Sequence, residues 1–167
     1  MNPIKILAVD HEETSLKMIQ HTLHNYDITT ETDFYRALDI IEKDIFDIFL
    51  INHQVPGIDG IEILDVIKEN HTYPNVRIVC LPTGTVHIFK EEFLSGVFNL
   101  FLEKPYDKHA LKEIMKMAIQ KLEEMKGLKK IMNNIFKIKP FSWSAVLKNT
   151  SRYSALRFLL LIPGIVN

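Results

Sequence analysis

The sequence contains a single cysteine, Cys80, and this scarcity excludes two common ways of stabilising a small domain. One thiol forms no disulfide within the chain and supplies no thiolate cluster for a structural zinc ion. Because Cys80 lies within an apolar run, we interpret it as a small core residue and not as a reactive thiol. The fold must therefore depend on a buried core, which 167 residues of 47% hydrophobic composition can supply.

Long apolar segments are also missing. The most apolar stretch, residues 158–166, contains Pro163 and Gly164 and is far shorter than the roughly 20 residues that span a bilayer. At the N-terminus, acidic residues from Asp10 onward arrive before a signal-peptide core could be completed. We therefore expect a cytoplasmic protein with no transmembrane segment.

Several signatures of catalysis are absent as well. The chain has only six glycines, and none of them forms a Gly-rich phosphate loop. Neither a Ser-His-Asp set nor an HExxH sequence is present, and the seven histidines are scattered without metal-ligand spacing. These absences make an enzymatic role the least supported class of function.

The net charge of −1 conceals two oppositely charged parts of the chain. Residues 1–124 contain all 21 acidic residues and carry a net charge of −9, whereas residues 125–167 carry +8. The periodicity changes at the same place, because Gly127 is predicted to break or weaken the last helix. We therefore predict a first domain over residues 1–124 and a basic, apolar-ended extension over residues 125–167.

Residues 1–124 alternate short β-branched runs with segments of helical period, a pattern typical of βαβ units around a parallel sheet. The predicted strands are residues 4–9, 28–31, 46–51, 76–81 and 98–102, and the predicted helices are residues 13–25, 34–43, 60–70, 85–94 and a long helix after Asp107. The polar second strand is expected at a sheet edge, and the third in the most buried position.

Local signals refine this pattern. In the first helix, the residues predicted to face inward are Leu16, Ile19, Gln20 and Leu23. Pro56-Gly57 marks a loop, Pro105 ends the fifth strand, and Asp107 is placed as the N-cap of the last helix. In an open parallel α/β sheet, ligands bind beyond the carboxyl ends of the strands, so the residues at those ends are the candidates for a site.

The strand ends resemble the CheY-like receiver domain of two-component response regulators. The matching segments are Ile6-Leu7-Ala8-Val9-Asp10, Asp47-Ile48-Phe49-Leu50-Ile51-Asn52, Pro56-Gly57-Ile58-Asp59-Gly60 and Lys104-Pro105. Their joint order and spacing cover roughly residues 3–124. The resemblance implies an α/β fold, a flavodoxin-like (βα)5 doubly wound parallel sheet with strand order 2-1-3-4-5, and a role in phosphorelay signal transduction.

A working receiver, by the family pattern, has a phosphate-accepting Asp at the end of the third strand and two acids after the first that hold Mg²⁺. It also has a Thr or Ser after the fourth strand and a Lys after the fifth. Of these, Asp10 and Lys104 match, whereas Asn52 stands at the acceptor position and His11 at the second acid position.

The position after the fourth strand departs from the pattern too. A gapless alignment places Pro82, which has no hydroxyl, at the Thr/Ser position, and Thr83 follows one residue later. The carboxamide of Asn52 offers no carboxylate to phosphorylate. We therefore interpret these residues as a degenerate phosphorylation site.

The remaining charges predict a site without a magnesium ion. One carboxylate, Asp10, faces one ammonium, Lys104, and we expect the two to interact directly or through Asn52. The affinity for Mg²⁺ should therefore be lost or feeble, with Asp10 and Glu12 as weak candidate ligands. We expect no cofactor.

Loss of the phosphate chemistry leaves the recognition surface that the family resemblance implies, formed by the fourth helix, the fifth strand and the fifth helix. The predicted partner-binding residues on it are Lys90, Phe98, Phe101, Tyr106, Lys108 and Lys112. We predict a non-catalytic pseudo-receiver that binds a signalling protein, or a second copy of itself as a homodimer, through this face. In the alternative interpretation, Phe98 and Phe101 belong to the core of the sheet.

The basic extension leaves other functions open. Its cations are interleaved with aromatic residues and could bind nucleic acid or an anionic membrane surface: Lys126, Lys129, Lys130, Lys137, Lys139, Lys148, Arg152 and Arg157. Equally, the extension could fold back on the acidic domain, exchange between protomers, or reflect a truncated reading frame. Its apolar end requires burial in any folded arrangement.

Overall fold

The structure, a computed structural model, describes residues 3–55, 58–70 and 74–136, in which five parallel strands form one sheet flanked by five α-helices. The strands of the sheet are β1 (Lys5–Val9), β2 (Asp27–Glu31), β3 (Ile48–Asn52), β6 (Val76–Pro82) and β7 (Leu100–Lys104). A short antiparallel hairpin, β4 (Gln54–Val55) with β5 (Ile58–Asp59), follows β3. The helices are α1 (Glu13–Thr22), α2 (Phe34–Lys43), α3 (Gly60–Asn70), α4 (Lys90–Ser95) and α5 (Lys108–Phe136), with a 3₁₀ turn at Val86–Phe89 before α4.

The sheet has the predicted topology. Its spatial order is β2-β1-β3-β6-β7 with every pairing parallel, which is 2-1-3-4-5 when the five sheet strands are counted along the chain. The polar strand β2 lies at an edge, and every residue of β3 is buried. Both placements confirm what composition predicted, because a strand covered on both faces must be apolar throughout.

Alternating residues of the strands contribute to two cores, one on each face of the sheet. Ile6 and Ala8 of β1 pack with α1 and α5, whereas Leu7 and Val9 pack with α2 and α3. This division follows from the two-residue period of a strand, which sends successive side chains to opposite faces. The sheet is therefore a middle layer between two helical layers, and its carboxyl edge stays open for a site.

The first helix differs from the prediction in its length and its inward face. It ends at Thr22 and not at Asn25. Leu16, Ile19 and Leu23 are buried as predicted, but Gln20 is exposed and its amide donates to the hydroxyl of Thr30 at 2.9 Å. A polar amide is better satisfied at the edge of β2 than in the core, so the prediction for Gln20 was wrong.

The last strand lies two residues later than predicted, at Leu100–Lys104. Phe98 therefore precedes the strand and is buried in the core between β6 and the helices, with 1% of its surface exposed. A residue in that position offers no surface to a partner, so its assignment to the partner-binding face is corrected. The interpretation of Phe98 as core is the one that the structure supports.

Helix α5 begins as predicted but continues further. The Asp107 carboxylate accepts a hydrogen bond from the amide of Ala110 at 2.8 Å, which confirms the N-cap. The helix then runs without a break through Gly127 to Phe136, so the predicted interruption at Gly127 was wrong. One glycine costs a helix about 1 kcal/mol, and the Glu, Met, Lys and Leu residues around it compensate for that cost.

The remainder of the predicted extension, residues 137–167, lies outside the described residues, as does the predicted Pro56-Gly57 loop. The proposed boundary at residue 124 falls inside α5 and stays a prediction. Within the part of the chain that is described, no helix combines the length and the apolar character needed to cross a bilayer.

A buried arginine fixes the end of α4. The guanidinium of Arg77, on β6, donates to the carbonyl oxygens of Val97 at 2.7 Å and Gly96 at 2.8 Å, and to the side chain of Asn75 at 3.0 Å. Burial lowers the pKa of Arg77 to about 10, against an opposing contribution from Asp65. Because carbonyls at a helix C-terminus lack partners within the helix, this cation anchors α4 to the sheet.

Two glycines provide a test of the fold. An added Cβ at Gly60, the first residue of α3, would overlap the backbone carbonyl of Asn52 and lie 3.0 Å from the Cα of His53. An added Cβ at Gly127 meets nothing. We expect Gly60→Ala to lower the free energy of unfolding by about 2 kcal/mol or more, and Gly127→Ala to raise it by about 0.5–1 kcal/mol. Urea denaturation of both variants measures the two changes, and stabilisation by Gly60→Ala would contradict the close contact between α3 and β3.

Candidate functional site

The carboxyl ends of four sheet strands carry the residues that the sequence singled out. Asp10 directly follows β1, and Asn52, Pro82 and Lys104 are the last residues of β3, β6 and β7. Because the strands are parallel, these ends lie along one edge of the sheet. The structure brings Asp10 into direct contact with both Asn52 and Lys104 there.

An ion pair joins Asp10 to Lys104. The Lys104 ammonium donates to Oδ2 of Asp10 at 2.7 Å, and the two side chains are 23% and 3% exposed. The other carboxylate oxygen, Oδ1, accepts from the backbone amide of Glu12 at 3.1 Å and from the amide nitrogen of Asn52 at 3.0 Å. The predicted direct contact is confirmed, and both oxygens of this buried carboxylate already have protein donors.

The side chain of Asn52 is held by acceptors. Its nitrogen lies 3.0 Å from the Asp10 carboxylate, 2.9 Å from the backbone carbonyl oxygen of Gln54 and 3.2 Å from Nδ1 of His11. An amide nitrogen has two hydrogens and no acceptor lone pair, so it suits this position and a carboxylate oxygen does not. The role of the Gln54 carbonyl as an acceptor was not predicted, because the pattern of side chains does not indicate where a backbone carbonyl of a two-residue strand will lie.

His11 and Glu12 line the solvent side of this cluster. Nδ1 of His11 lies 3.2 Å from the amide nitrogen of Asn52 and 3.6 Å from Oδ1 of Asp10. The carboxylate of Glu12 lies 3.8 Å from the Lys104 ammonium, with its side chain largely exposed. The site therefore holds a second carboxylate near Lys104 that the predicted one-to-one charge balance left out.

The hydroxyl predicted near the phosphate position is engaged elsewhere. Thr83 donates its hydroxyl to the backbone carbonyl of Lys104 at 2.7 Å, and its backbone amide donates to the same oxygen. Pro82 ends β6 and supplies no hydroxyl. These contacts tie the loop after β6 to the end of β7.

Two protonated groups lie in the core beneath the site. Burial raises the pKa of the Cys80 thiol to about 12, consistent with a core residue and not a nucleophile. Burial, followed by the neighbouring Cys80, also raises the pKa of Tyr106. The Tyr106 hydroxyl lies 3.4 Å from that of Ser15 on α1, so this half-buried ring faces the core more than the predicted partner-binding face.

The other residues of that face are accessible. Lys90, Lys108 and Lys112 are exposed, and Phe101 on the edge strand β7 is 37% exposed. The structure adds exposed apolar residues that the sequence pattern did not single out, namely Ile88, Phe93 and Leu94. The short fourth helix has no clear amphipathic period, so the signal for its outward face was weak.

The described residues provide no ready metal cage. Among residues 3–55, 58–70 and 74–136, no group of three or more His, Cys, Asp or Glu side chains is arranged to hold a metal ion.

Comparison with known proteins identifies the family of the chain. The model of the response regulator receiver domain family matches residues 6–116, which is most of the chain. The protein therefore belongs to the response regulator receiver family and is a receiver domain of two-component signalling.

Curated relatives show different domain contexts. The chain is 26% identical over 133 residues to regulatory protein VanR of Enterococcus faecium, covering 78% of this chain and 56% of that protein. It is 28% identical over 116 residues to sporulation initiation phosphotransferase F of Bacillus subtilis, covering 67% of this chain and 90% of that protein. The chain thus spans little more than half of VanR and 23% of response regulator PleD of Caulobacter vibrioides.

Solved structures share the fold. A structure described as an adenylate cyclase from Rhodopirellula baltica matches with a TM-score of 0.72 at 20% identity, covering 78% of this chain and 98% of that one. The chemotaxis response regulator CheY4 of Vibrio cholerae matches with a TM-score of 0.63 at 24% identity, covering 70% of this chain and 99% of that one. At these identities the likeness establishes the fold alone.

The ion pair generates a stability prediction. Lys104→Met leaves the buried Asp10 carboxylate without its cation, and we expect a loss of about 2–3 kcal/mol in the free energy of unfolding at neutral pH. This is below the range for fully buried pairs because Lys104 is partly exposed. The double variant Asp10→Asn with Lys104→Met removes both charges and should lose less than Lys104→Met alone.

Urea denaturation of the single and double variants completes the cycle. The control is Lys116→Met, which removes an exposed lysine that pairs with Glu113 on α5 and should leave stability within error. Equal losses for Lys104→Met and Lys116→Met would show that Asp10 needs no counter-charge.

Proposed function

We propose that this receiver domain is a pseudo-receiver, which acts through phosphorylation-independent protein–protein interaction. The observation that carries the proposal is the amide of Asn52, which occupies the acceptor position and donates to Asp10 and to the Gln54 carbonyl. The site is closed by contacts within the protein, so the domain has a recognition surface without a phosphate switch.

The contacts around Asn52 favour an amide over a carboxylate. An aspartate in the same rotamer would place a negative oxygen about as close to the Asp10 carboxylate and the Gln54 carbonyl as the amide nitrogen now lies. Both contacts would change from hydrogen bonds into repulsions in a buried setting, where such repulsion is costly. The surroundings of residue 52 are thus matched to the residue present.

The same cluster is a poor site for Mg²⁺, the ion that the family pattern implies. Magnesium requires oxygen ligands in near-octahedral geometry. Asp10 already accepts three hydrogen bonds, Asn52 turns its nitrogen toward the cluster, and His11 offers a softer nitrogen ligand. The residues present therefore do not fit the ion, and no step in the proposed function uses it.

The exposed apolar residues near β7 and α4 support a role in recognition. Ile88, Leu94 and Phe101 are exposed and are accompanied by the cations of Lys90 and Lys112. An apolar centre with a charged rim is typical of protein–protein interfaces. We propose that a signalling protein binds this face in a manner that is independent of the site at residue 52.

The alternative of nucleic acid or membrane binding gains no support from the comparisons. One of the basic residues on which it depends, Lys126, instead pairs with Asp47 at the start of β3, with Nζ and Oδ1 3.0 Å apart. This contact favours the interpretation in which the basic segment packs against the acidic domain.

Labelling with acetyl phosphate and Mg²⁺ tests the silent site. The wild-type protein should gain no phosphoryl mass, because residue 52 has no carboxylate. The variant combining Asn52→Asp with His11→Asp restores two acids beside Asp10 and Lys104, and we expect it to gain one acid-labile phosphoryl group. Intact-mass spectrometry measures both.

Two controls make the result decisive. Asn52→Asp with His11→Asp and Lys104→Met should label far more slowly, and each protein should show the same far-ultraviolet circular dichroism as wild type. A phosphoryl adduct on the wild-type protein would contradict the proposed function, and so would a change in wild-type fluorescence that requires both beryllofluoride and magnesium.

A further inference from the structure

A cleft of about 530 Å³ opens between the C-terminal half of α2 and the middle of α3. Its apolar lining consists of Leu38, Ile41, Ile45 and Val66. Ile41 is buried in the core beneath the cleft, whereas Ile45 and Val66 are 64% and 38% exposed. A cleft of this size holds several apolar side chains, and its exposed apolar lining is typical of a surface that an apolar group covers.

The surroundings of the cleft are acidic. Glu42 and Asp44 lie on its rim, and both are exposed. Residues 34–47 and 60–70, which include α2 and α3, contain seven acidic and three basic residues and so carry a net charge of −4. Lys5, which lies 3.8 Å from Asp44, offsets only part of this excess. The cleft therefore favours an apolar segment that is accompanied by cations.

The part of the chain that follows α5 has the complementary composition. Residues 137–167 contain five basic residues and no acidic residue. Within them, the sequence Phe158-Leu159-Leu160-Leu161-Ile162 directly follows Arg157, and we refer to residues 158–162 as the apolar run. Burial of each large apolar side chain is favourable by about 1.5–3 kcal/mol, so this run gains from any apolar cleft within its reach.

The cleft is within reach of the apolar run. Lys126 of α5 pairs with Asp47 at 3.0 Å, and Asp47 is only two residues from Ile45 in the cleft. Even with both paired side chains extended, the end of α5 at Phe136 lies within about 40 Å of Ile45. The 21 residues between α5 and the apolar run can span about 70 Å when fully extended.

We propose that the apolar run docks in the cleft between α2 and α3 of its own chain. The run covers Ile45 and Val66, and Arg157 is placed beside the acidic rim. The covalent connection gives the run an effective concentration on the order of millimolar, which favours docking within one chain over exchange between copies in dilute solution. The proposal goes beyond the proposed function, because it assigns an internal ligand to a surface remote from residue 52.

Photo-crosslinking of the full chain identifies the occupant directly. The photoreactive residue p-benzoylphenylalanine replaces Lys43, an exposed residue that lines the cleft. The protein is irradiated at low micromolar concentration and digested with trypsin, which cleaves after Arg157 and releases the apolar run within residues 158–167. We expect mass spectrometry to find this peptide attached to residue 43, in a product that had the mass of a monomer before digestion.

The matched control carries the photoreactive residue at Lys90, an exposed residue of α4 outside the cleft, and should give no adduct with residues 158–167. Absence of the adduct from position 43, or equal yields from both positions, would overturn the proposal. A covalent dimer would show that the occupant comes from a second copy, and this result would overturn it as well.

Substitutions test whether the contact is apolar. A protease must bind residues on both sides of the bond that it cuts, so docking of the apolar run protects the bond after Arg157. Ile45→Asn or Leu160→Asn should each accelerate tryptic release of residues 158–167 by roughly tenfold. The double variant should be within about twofold of either single variant, because one substitution already undocks the run. Mass spectrometry at limiting trypsin measures the initial rates.

Ile88→Asn is the matched control, because Ile88 is 63% exposed but lies in the 3₁₀ turn before α4. It should leave the rate unchanged, and circular dichroism establishes that every variant is folded. An unchanged rate in Ile45→Asn, an equal acceleration by Ile88→Asn, or fully multiplicative effects in the double variant would overturn the proposal.

The two proposals fail separately. Neither crosslinking nor tryptic release depends on acetyl phosphate, so a failure of docking leaves the silent site unchanged. Conversely, a labelled wild-type protein would contradict the silent site without altering the crosslinked peptide.

Discussion

The arrangement of the carboxyl edge depends on one ion pair, between the carboxylate of Asp10 and the ammonium of Lys104. Lys104 ends the edge strand β7, and Asp10 follows β1, three positions away in the sheet. The Lys104 ammonium therefore reaches across the edge of the sheet and neutralises the Asp10 carboxylate. Asn52 adds a neutral hydrogen-bond donor to the same carboxylate. In low dielectric such a carboxylate is stable only when its charge and lone pairs are satisfied, and here the protein satisfies them by itself.

Much of the fold follows from residue patterns. Continuous apolar runs in β1, β3 and β6 identify covered strands, and the polar run of β2 identifies an edge, because burial on two faces excludes polar side chains. The errors occurred where tertiary context decides. Gln20 has helical spacing with the core but finds a hydrogen-bond partner at the sheet edge, and Gly127 is carried through α5 by the helix-forming residues around it.

The part of the candidate site that lies at the strand ends could be predicted from the sequence. Asp10, Asn52 and Lys104 meet because parallel strands finish on the same side, so their contact follows from topology. Other contacts depend on backbone paths and rotamers that residue types do not specify. These are the hydrogen bond from Asn52 to the Gln54 carbonyl, the hydrogen bond from Thr83 to the Lys104 carbonyl, and the contact of Tyr106 with Ser15. Exposure on α4 was equally unpredictable, because a helix of six residues has too little period to define a face.

The buried guanidinium of Arg77 has a mechanical consequence for the surface at α4. It donates hydrogen bonds to the carbonyls of Gly96 and Val97, so the C-terminal end of α4 is fixed to β6, the neighbour of the edge strand β7. Any displacement of α4 relative to the sheet would therefore be larger at Ile88 and Lys90, near the N-terminal end of the helix, than beside Gly96. A partner bound at the N-terminal end of α4 would be the one most affected by such a displacement.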